Sequence, residues 1–167
     1  MKWFKQWLKK RKKQRYHRKV VRTAKTVGTG LKVNGPSGVN INTTLGDNVN
    51  FNGMRISGHG KVTIGDNFHS GPECLIITSF HNYEGTSIPY DASYIHKDVI
   101  IENNVWLGSR VIILGGVTIH EGAIIQAGST VVSDIPKGGI AGGHPAKVFK
   151  FRDIERYDKL NAEKAFH

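Results

Sequence analysis

Six histidines lie in the body of the chain, at positions 59, 69, 81, 96, 120 and 144. One of them, His81, sits in a stretch that interrupts an otherwise regular pattern, TSFHNYEGTSIPYD, residues 78–91. An imidazole has an ordinary pKa of about 6.5, so it is largely neutral near pH 7 and can take the proton of a hydroxyl as that hydroxyl attacks. Behind it come Asn82, Tyr83, Glu84, Tyr90 and Asp91, polar side chains able to hydrogen-bond the hydroxyls of an acceptor. Zinc chemistry needs several converging ligands. No two of the body histidines are three to five residues apart and Cys74 stands alone, so no metal site, cysteine cluster or internal disulfide is expected. The single cysteine fits a reducing compartment.

The element that positions His81 is read from a period of six. From Ile101 the chain divides as IENNVW, LGSRVI, ILGGVT, IHEGAI, IQAGST, VVSDIP. Each hexad starts on an aliphatic residue and carries a small or aliphatic residue at its fifth place. A second phase holds Val33, Val39, Leu45 and Phe51, and a third holds Ile64 with Phe68, Cys74, and Ile76 with Phe80. Helices and ordinary hairpins repeat near 3.6 or 2. A period of six fits short strands joined by tight turns, with Gly, Asn and Asp at unusual backbone angles, stacked coil on coil. The phases slip by about a residue near 52–60 and by 13 residues between 82 and 94, which reads as an insertion. In this register Cys74 and Phe80 point inward and His81 points outward at a corner.

These hexads, and IIENNVWLGSRVIILGGVTIHEGAIIQAGSTVVSDIPKGGIAGGHPAKVFKFR above all, resemble the hexapeptide-repeat acyltransferases with a left-handed parallel β-helix. The resemblance covers about residues 30–152 and is closest to the galactoside, maltose, xenobiotic and surface-polysaccharide acetyltransferase branch. It implies an all-β solenoid with three hexads per coil, a homotrimer, and acetyl-CoA as acyl donor. It implies His81 as general base, a slot for the pantetheine arm at Ser109 and Ala127 whose amide stabilises the oxyanion, and a wall at Trp106. Lys147 and Lys150 align with basic positions near the coenzyme A phosphates, with Arg152 as an added candidate. With stacked residues 18 apart, the hexad at Ile76 is expected one coil before that at Leu107, bringing His81 to the column of Ser109 and Ala127. The expected reaction is O-acetylation of a sugar hydroxyl in capsule, O-antigen or exopolysaccharide biosynthesis. The alternatives are N-acetylation of a nucleotide-linked amino sugar, or a non-enzymatic scaffold with a nucleic-acid- or membrane-binding tail. The γ-class carbonic anhydrases share the fold but need three histidines.

The remaining segments flank this body. Lys and Arg total 24 against 13 Asp and Glu, and 12 of those cations fall in residues 1–25, which hold no acid. The basicity therefore belongs to a tail, residues 1–28, and the body, residues 29–152, is close to neutral. A C-terminal helix is expected over 153–167. Trp3, Phe4, Trp7 and Leu8 share one helical face beside the cation run, although repulsion between neighbouring cations opposes a stable isolated helix. Tryptophan favours membrane interfaces and basic residues favour anionic leaflets. The tail is therefore expected to attach the protein peripherally to the cytoplasmic face of the inner membrane rather than to nucleic acid. No signal-peptide pattern opens the chain, and no apolar run nears the roughly 20 residues that span a bilayer, so a cytoplasmic location is expected.

Overall fold

The computed structural model describes residues 2–166 and folds them as a parallel β-solenoid of three faces. The first face stacks Thr26–Val27, Thr43–Leu45, Val62–Ile64, Val99–Ile101 and Thr118–Ile119 in parallel. The second stacks Lys32–Val33, Asn50–Phe51, His69–Ser70, Trp106–Leu107, Ile124–Ile125 and Gly139–Gly143, then closes with Ala146–Phe151 running antiparallel. The third holds Met54–Ser57, Cys74–Ile77, Ile112–Leu114 and Thr130–Val131.

The period of six follows from the cross-section. The first and fifth positions of each hexad turn inward, so Val105, Leu107, Val111, Ile113, Val117, Ile119, Ala123 and Ile125 form one continuous core. Cys74 joins them as expected at 2% exposure, and burial pushes its thiol pKa up, which leaves it a small hydrophobe. Between the first and second faces the chain turns through left-handed residues, Asn48, Asn67 and Asn104, with φ of 52, 55 and 60°. Asparagine tolerates that region and also gives its amide to the next coil. Asn48 Nδ2 donates to Asn67 Oδ1 at 3.0 Å and Asn67 Nδ2 to Asn104 Oδ1 at 2.9 Å.

The insertion is where sequence and structure part. Ile113 pairs with Ile76 and Leu107 with Ser70, a separation of 37 residues, while Leu107 and Ile125 are 18 apart. The hexad at Ile76 therefore lies beneath Ile113, one hexad away from the expected Leu107. The chain leaves the solenoid after Thr78 and returns at Lys97, whose N–H donates to the Thr78 carbonyl at 2.9 Å. Between them Ser79–His81 and Tyr94–His96 zip into an antiparallel hairpin that pairs His81 with Tyr94 and Phe80 with Ile95. Phe80 is thus half-buried on the hairpin rather than an inward core residue. A Cβ built on Gly115 would lie 3.2 Å from its ring, which places the hairpin root at the corner between third and first faces.

Helix α1 spans Lys2–Thr23 and lies on the open end of the first coil. Val20 is fully buried, with Tyr16 and Ala24 packed on the same core, one helical turn apart on either side. That anchorage offsets the cation repulsion that disfavours the helix in isolation. The basic segment is consequently not a free tail throughout, because only residues 3–12 are exposed without interruption. Helix α2, Ile154–Ala162, is capped by Asp153, whose carboxylate accepts from the Arg156 N–H at 3.0 Å. It docks by Tyr157 and Asn161, both accepting from the Asn104 amide, at 2.8 and 3.0 Å.

Candidate active site

His81 is half-buried on the hairpin, two residues out from its root, and its Nδ1 is buried with no hydrogen-bond partner among the described residues. Its ring stacks on Tyr90, with centroids 3.8 Å apart and planes 15° apart, and tilts against Tyr94 at 4.6 Å. Aromatic contact fixes the ring orientation while leaving a nitrogen unsatisfied, and an unsatisfied buried polar atom is costly unless something engages it. The site is extended by His96 and His59, 5.5 Å apart between ring centres. Ser79 joins them, its Oγ lying 2.7 Å from His96 Nδ1 and accepting from the His59 N–H at 2.8 Å.

The loop residues divide by what already occupies them. Asp91 accepts from the Ser93 hydroxyl and from the backbone N–H groups of Ser93 and Thr86, which hold its carboxyl below the usual value. Asn82 Nδ2 donates to Ser93 Oγ at 3.1 Å, and its Oδ1 accepts from the Glu84 N–H at 3.2 Å. Asn82 and Asp91 therefore shape the loop. Tyr90, although exposed, stacks on the imidazole, and Tyr83 and Glu84 are the exposed members of the set without such a contact.

The second group lies on the second face and its corner with the third. Trp106 points outward, half exposed, in register with His69 and Ile124. Ile124 pairs with Ile140, and Ile140 pairs with Lys150, so Trp106 and Lys150 share one outward column. Lys147 pairs with Gly142 on the same strand pair. Both lysines are exposed and neither makes an ion pair among the described residues. Ser109 and Ala127 stack at the corner, where the Gly128 N–H donates to the Ser109 carbonyl at 2.8 Å. Gly108 is required there, because a Cβ on it would lie 2.5 Å from the Ala127 nitrogen. Arg152 also holds the C-terminal segment. Its Nε donates to the Gly122 carbonyl at 2.6 Å and its guanidinium lies 5.6 Å from the Tyr157 ring.

Exposed lysines on the closing strand pair suit the phosphate groups of a donor such as acetyl-CoA. The expected juxtaposition with His81 does not occur within one chain. Ser109 and Gly115 flank the third-face strand Ile112–Leu114 at its two ends, and six extended residues span roughly 20 Å. Outside, the third face carries an apolar row of Leu75, Ile77, Ile112 and Leu114, all half-buried, with exposed Val132, bordered in the same register by exposed Arg55 and half-buried Ser57 and Thr130. Sequence reasoning missed Tyr94, Ser79, His96 and His59. The only signal was the cross-strand match of SFH with YIH, and it becomes readable once those segments are known to pair. Among the described residues no group of three or more His, Cys, Asp or Glu side chains is placed to hold a metal ion.

Comparison with known proteins agrees with this scaffold. Residues 98–133 match the family described as bacterial transferase hexapeptide (six repeats). The chain is 36% identical over 124 residues to a galactoside O-acetyltransferase of Lactococcus lactis, covering 72% of this chain and 59% of that protein's length. A 2,3,4,5-tetrahydropyridine-2,6-dicarboxylate N-acetyltransferase of Clostridium perfringens is 45% identical over 60 residues, 36% of this chain and 25% of its own. A solved galactoside acetyltransferase in complex with coenzyme A superposes with a TM-score of 0.68 at 33% identity, over 78% of this chain and 67% of that one.

Proposed function

The chain belongs to the bacterial hexapeptide-repeat transferases, and on that premise we propose that it is an acetyl-CoA-dependent O-acetyltransferase acting on a sugar hydroxyl in surface-polysaccharide biosynthesis. The observation that carries the reading is His81, an imidazole with a buried unpartnered nitrogen, oriented by Tyr90 and bordered by a polar loop. In the proposed step the acceptor oxygen bonds to the acyl carbon as His81 takes its proton. The carbon–sulfur bond then breaks, and the departing thiolate receives that proton back from the imidazolium. An amide at Ser109 or Ala127 donates to the carbonyl oxygen as charge builds there. Lys147 and Lys150 face the donor's phosphates, and Tyr83 and Glu84 face the acceptor.

A working site must unite two groups that one chain holds about a face-width apart. Packing of a second copy on the apolar third face is the simplest way to do so, because a closed threefold ring repeats the same junction three times. The homotrimer is therefore part of the proposal, supported by that apolar row and by the separation of His81 from Ser109.

The test is acetyl transfer from acetyl-CoA to a panel of hydroxyl and amino sugars, followed by thiol release and mass spectrometry. A hydroxyl sugar should gain one acetyl group, and His81→Ala should lower kcat by roughly 10²- to 10⁴-fold, as expected for loss of a general base. Acetylation confined to amino sugars would move the assignment to N-acetyl transfer, which the Clostridium relative favours. Near-normal turnover of the variant would remove His81 from the chemistry.

A further inference from the structure

Helix α1 carries two kinds of cation on different sides. Its four arginines, Arg11, Arg15, Arg18 and Arg22, are spaced four, three and four residues apart. At 3.6 residues per turn they fall within about 60° of one another on a single stripe. Its lysines lie on the remaining surface. The stripe lies on the side of α1 away from Tyr16 and Val20, which meet the core with the following Ala24, and away from Lys13, whose Nζ donates to Asn34 Oδ1 at 2.7 Å. Toward the C-terminal end Arg15, Arg18 and Arg22 also border a cavity shared with Ser37, Val39 and Arg55. Continued toward the N-terminus, the same stripe reaches Trp7 and Phe4, whose rings stack 5.8 Å apart, with the Arg11 guanidinium 4.8 Å from the Trp7 ring. Trp3, Phe4, Trp7 and Leu8 are 75, 56, 39 and 39% exposed. No carboxylate lies within α1 to neutralise the stripe.

We propose that this outer face of α1 seats the protein on an anionic lipid surface, with the rings at the headgroup level and the arginines on lipid phosphates. Guanidinium groups bind phosphate oxygens in pairs, which an ammonium cannot do. Exposed indole and phenyl rings beside such a stripe suit an interface that is apolar on one side and charged on the other. A nucleic acid would satisfy the arginines but leaves Phe4, Leu8 and the outer tryptophan without an apolar partner. No described helix is long and apolar enough to cross a membrane, so α1 lies along the surface. Because α1 covers the end of the solenoid, the prism stands upright on the lipid, and the third-face coil that carries the hairpin rises roughly 25 Å above it, three coil spacings plus one helix diameter.

The test is flotation of the full-length chain with vesicles of phosphatidylcholine alone, or of phosphatidylcholine with a quarter phosphatidylglycerol, at near-physiological salt. The protein should float with the anionic vesicles only. Replacing Arg11, Arg15, Arg18 and Arg22 by Gln should weaken that binding at least tenfold. Replacing Lys5, Lys9, Lys10 and Lys12 by Gln removes the same charge from the other sides and should weaken it several-fold less. Helix content and thermal unfolding of each variant establish that α1 stays docked. Phe4→Ser with Trp7→Ser should also reduce binding. Equal losses for the arginine and lysine sets would overturn the face assignment. Equal flotation with neutral vesicles, or tighter binding to a duplex RNA than to anionic vesicles, would overturn the lipid partner. The assay reads lipid binding alone, so its failure leaves the acetyl-transfer reading untouched, and the converse holds as well.

Discussion

His81 owes its orientation to a ring stack rather than to a hydrogen bond at Nδ1, and this sets the role of Tyr90. If the stack is what matters, Tyr90→Phe should keep near-normal kcat, whereas Tyr90→Ala should lower it by about 3- to 10-fold, the equivalent of a stack worth roughly 0.5–1.5 kcal/mol. Steady-state kinetics with a saturating acceptor check this. Equal damage from both substitutions would return Tyr90 to the acceptor-binding role its sequence position suggests. The histidine itself was legible because it interrupts a repeat. Its neighbours were not, since Tyr94 becomes adjacent only through antiparallel pairing, which local residue types do not specify. The contact of Arg152 Nε with the Gly122 carbonyl was not legible either, because it joins residues 30 apart in the chain.

At the scale of elements, the six-residue period exposed the solenoid because every coil must present the same inward row, as Leu107, Ile113, Ile119 and Ile125 do. The hairpin stayed hidden because Ile76 and Phe80 keep hexad spacing across its first strand, so the departure after Thr78 leaves no mark in the hydrophobic pattern. The anchorage of α1 was masked in the same manner, since Tyr16, Val20 and Ala24 are few among many cations. The docking of α2 can be tested by pH. The Tyr157 hydroxyl donates to Glu121 Oε1 at 2.8 Å, and its pKa is pushed up from 10.0 to about 12, chiefly by burial. The folded value exceeds the unfolded one, so the neutral phenol's contribution is complete below pH 10 and is lost as pH rises through about 12. Proteolysis within α2 should accelerate over that window. Tyr157→Phe should remove this component and cost about 1–2 kcal/mol at neutral pH by leaving Asn104 and Glu121 short of a partner.

For the whole molecule, a site shared between copies makes a prediction that a site within one chain does not. His81→Ala supplies an intact second face but no base, and Ser109→Trp supplies a base but a blocked slot. Each homotrimer should be nearly inactive. Mixed, unfolded and refolded together in equal amounts, they should regain about a quarter of the wild-type sites, because each mixed ring contains one junction with both halves intact. Activity that stays at the level of the separate variants would show that the two groups meet within one chain or not at all.

A stack of like coils has no inherent length, and each coil offers the next a complete row of backbone donors and acceptors. This chain stops its own propagation twice. At one end Val20 and its neighbours on α1 cover the first core layer. At the other, Gly139–Gly143 folds back on Ala146–Phe151, so the final edge runs antiparallel and displays Lys147 and Lys150. An antiparallel, charged edge is a poor template for a further parallel coil. The two ends therefore act as terminators against fibre growth. Trimming the basic segment beyond residue 12 or so would do more than discharge the surface: it would uncover a polymerising end in a protein otherwise built to remain discrete.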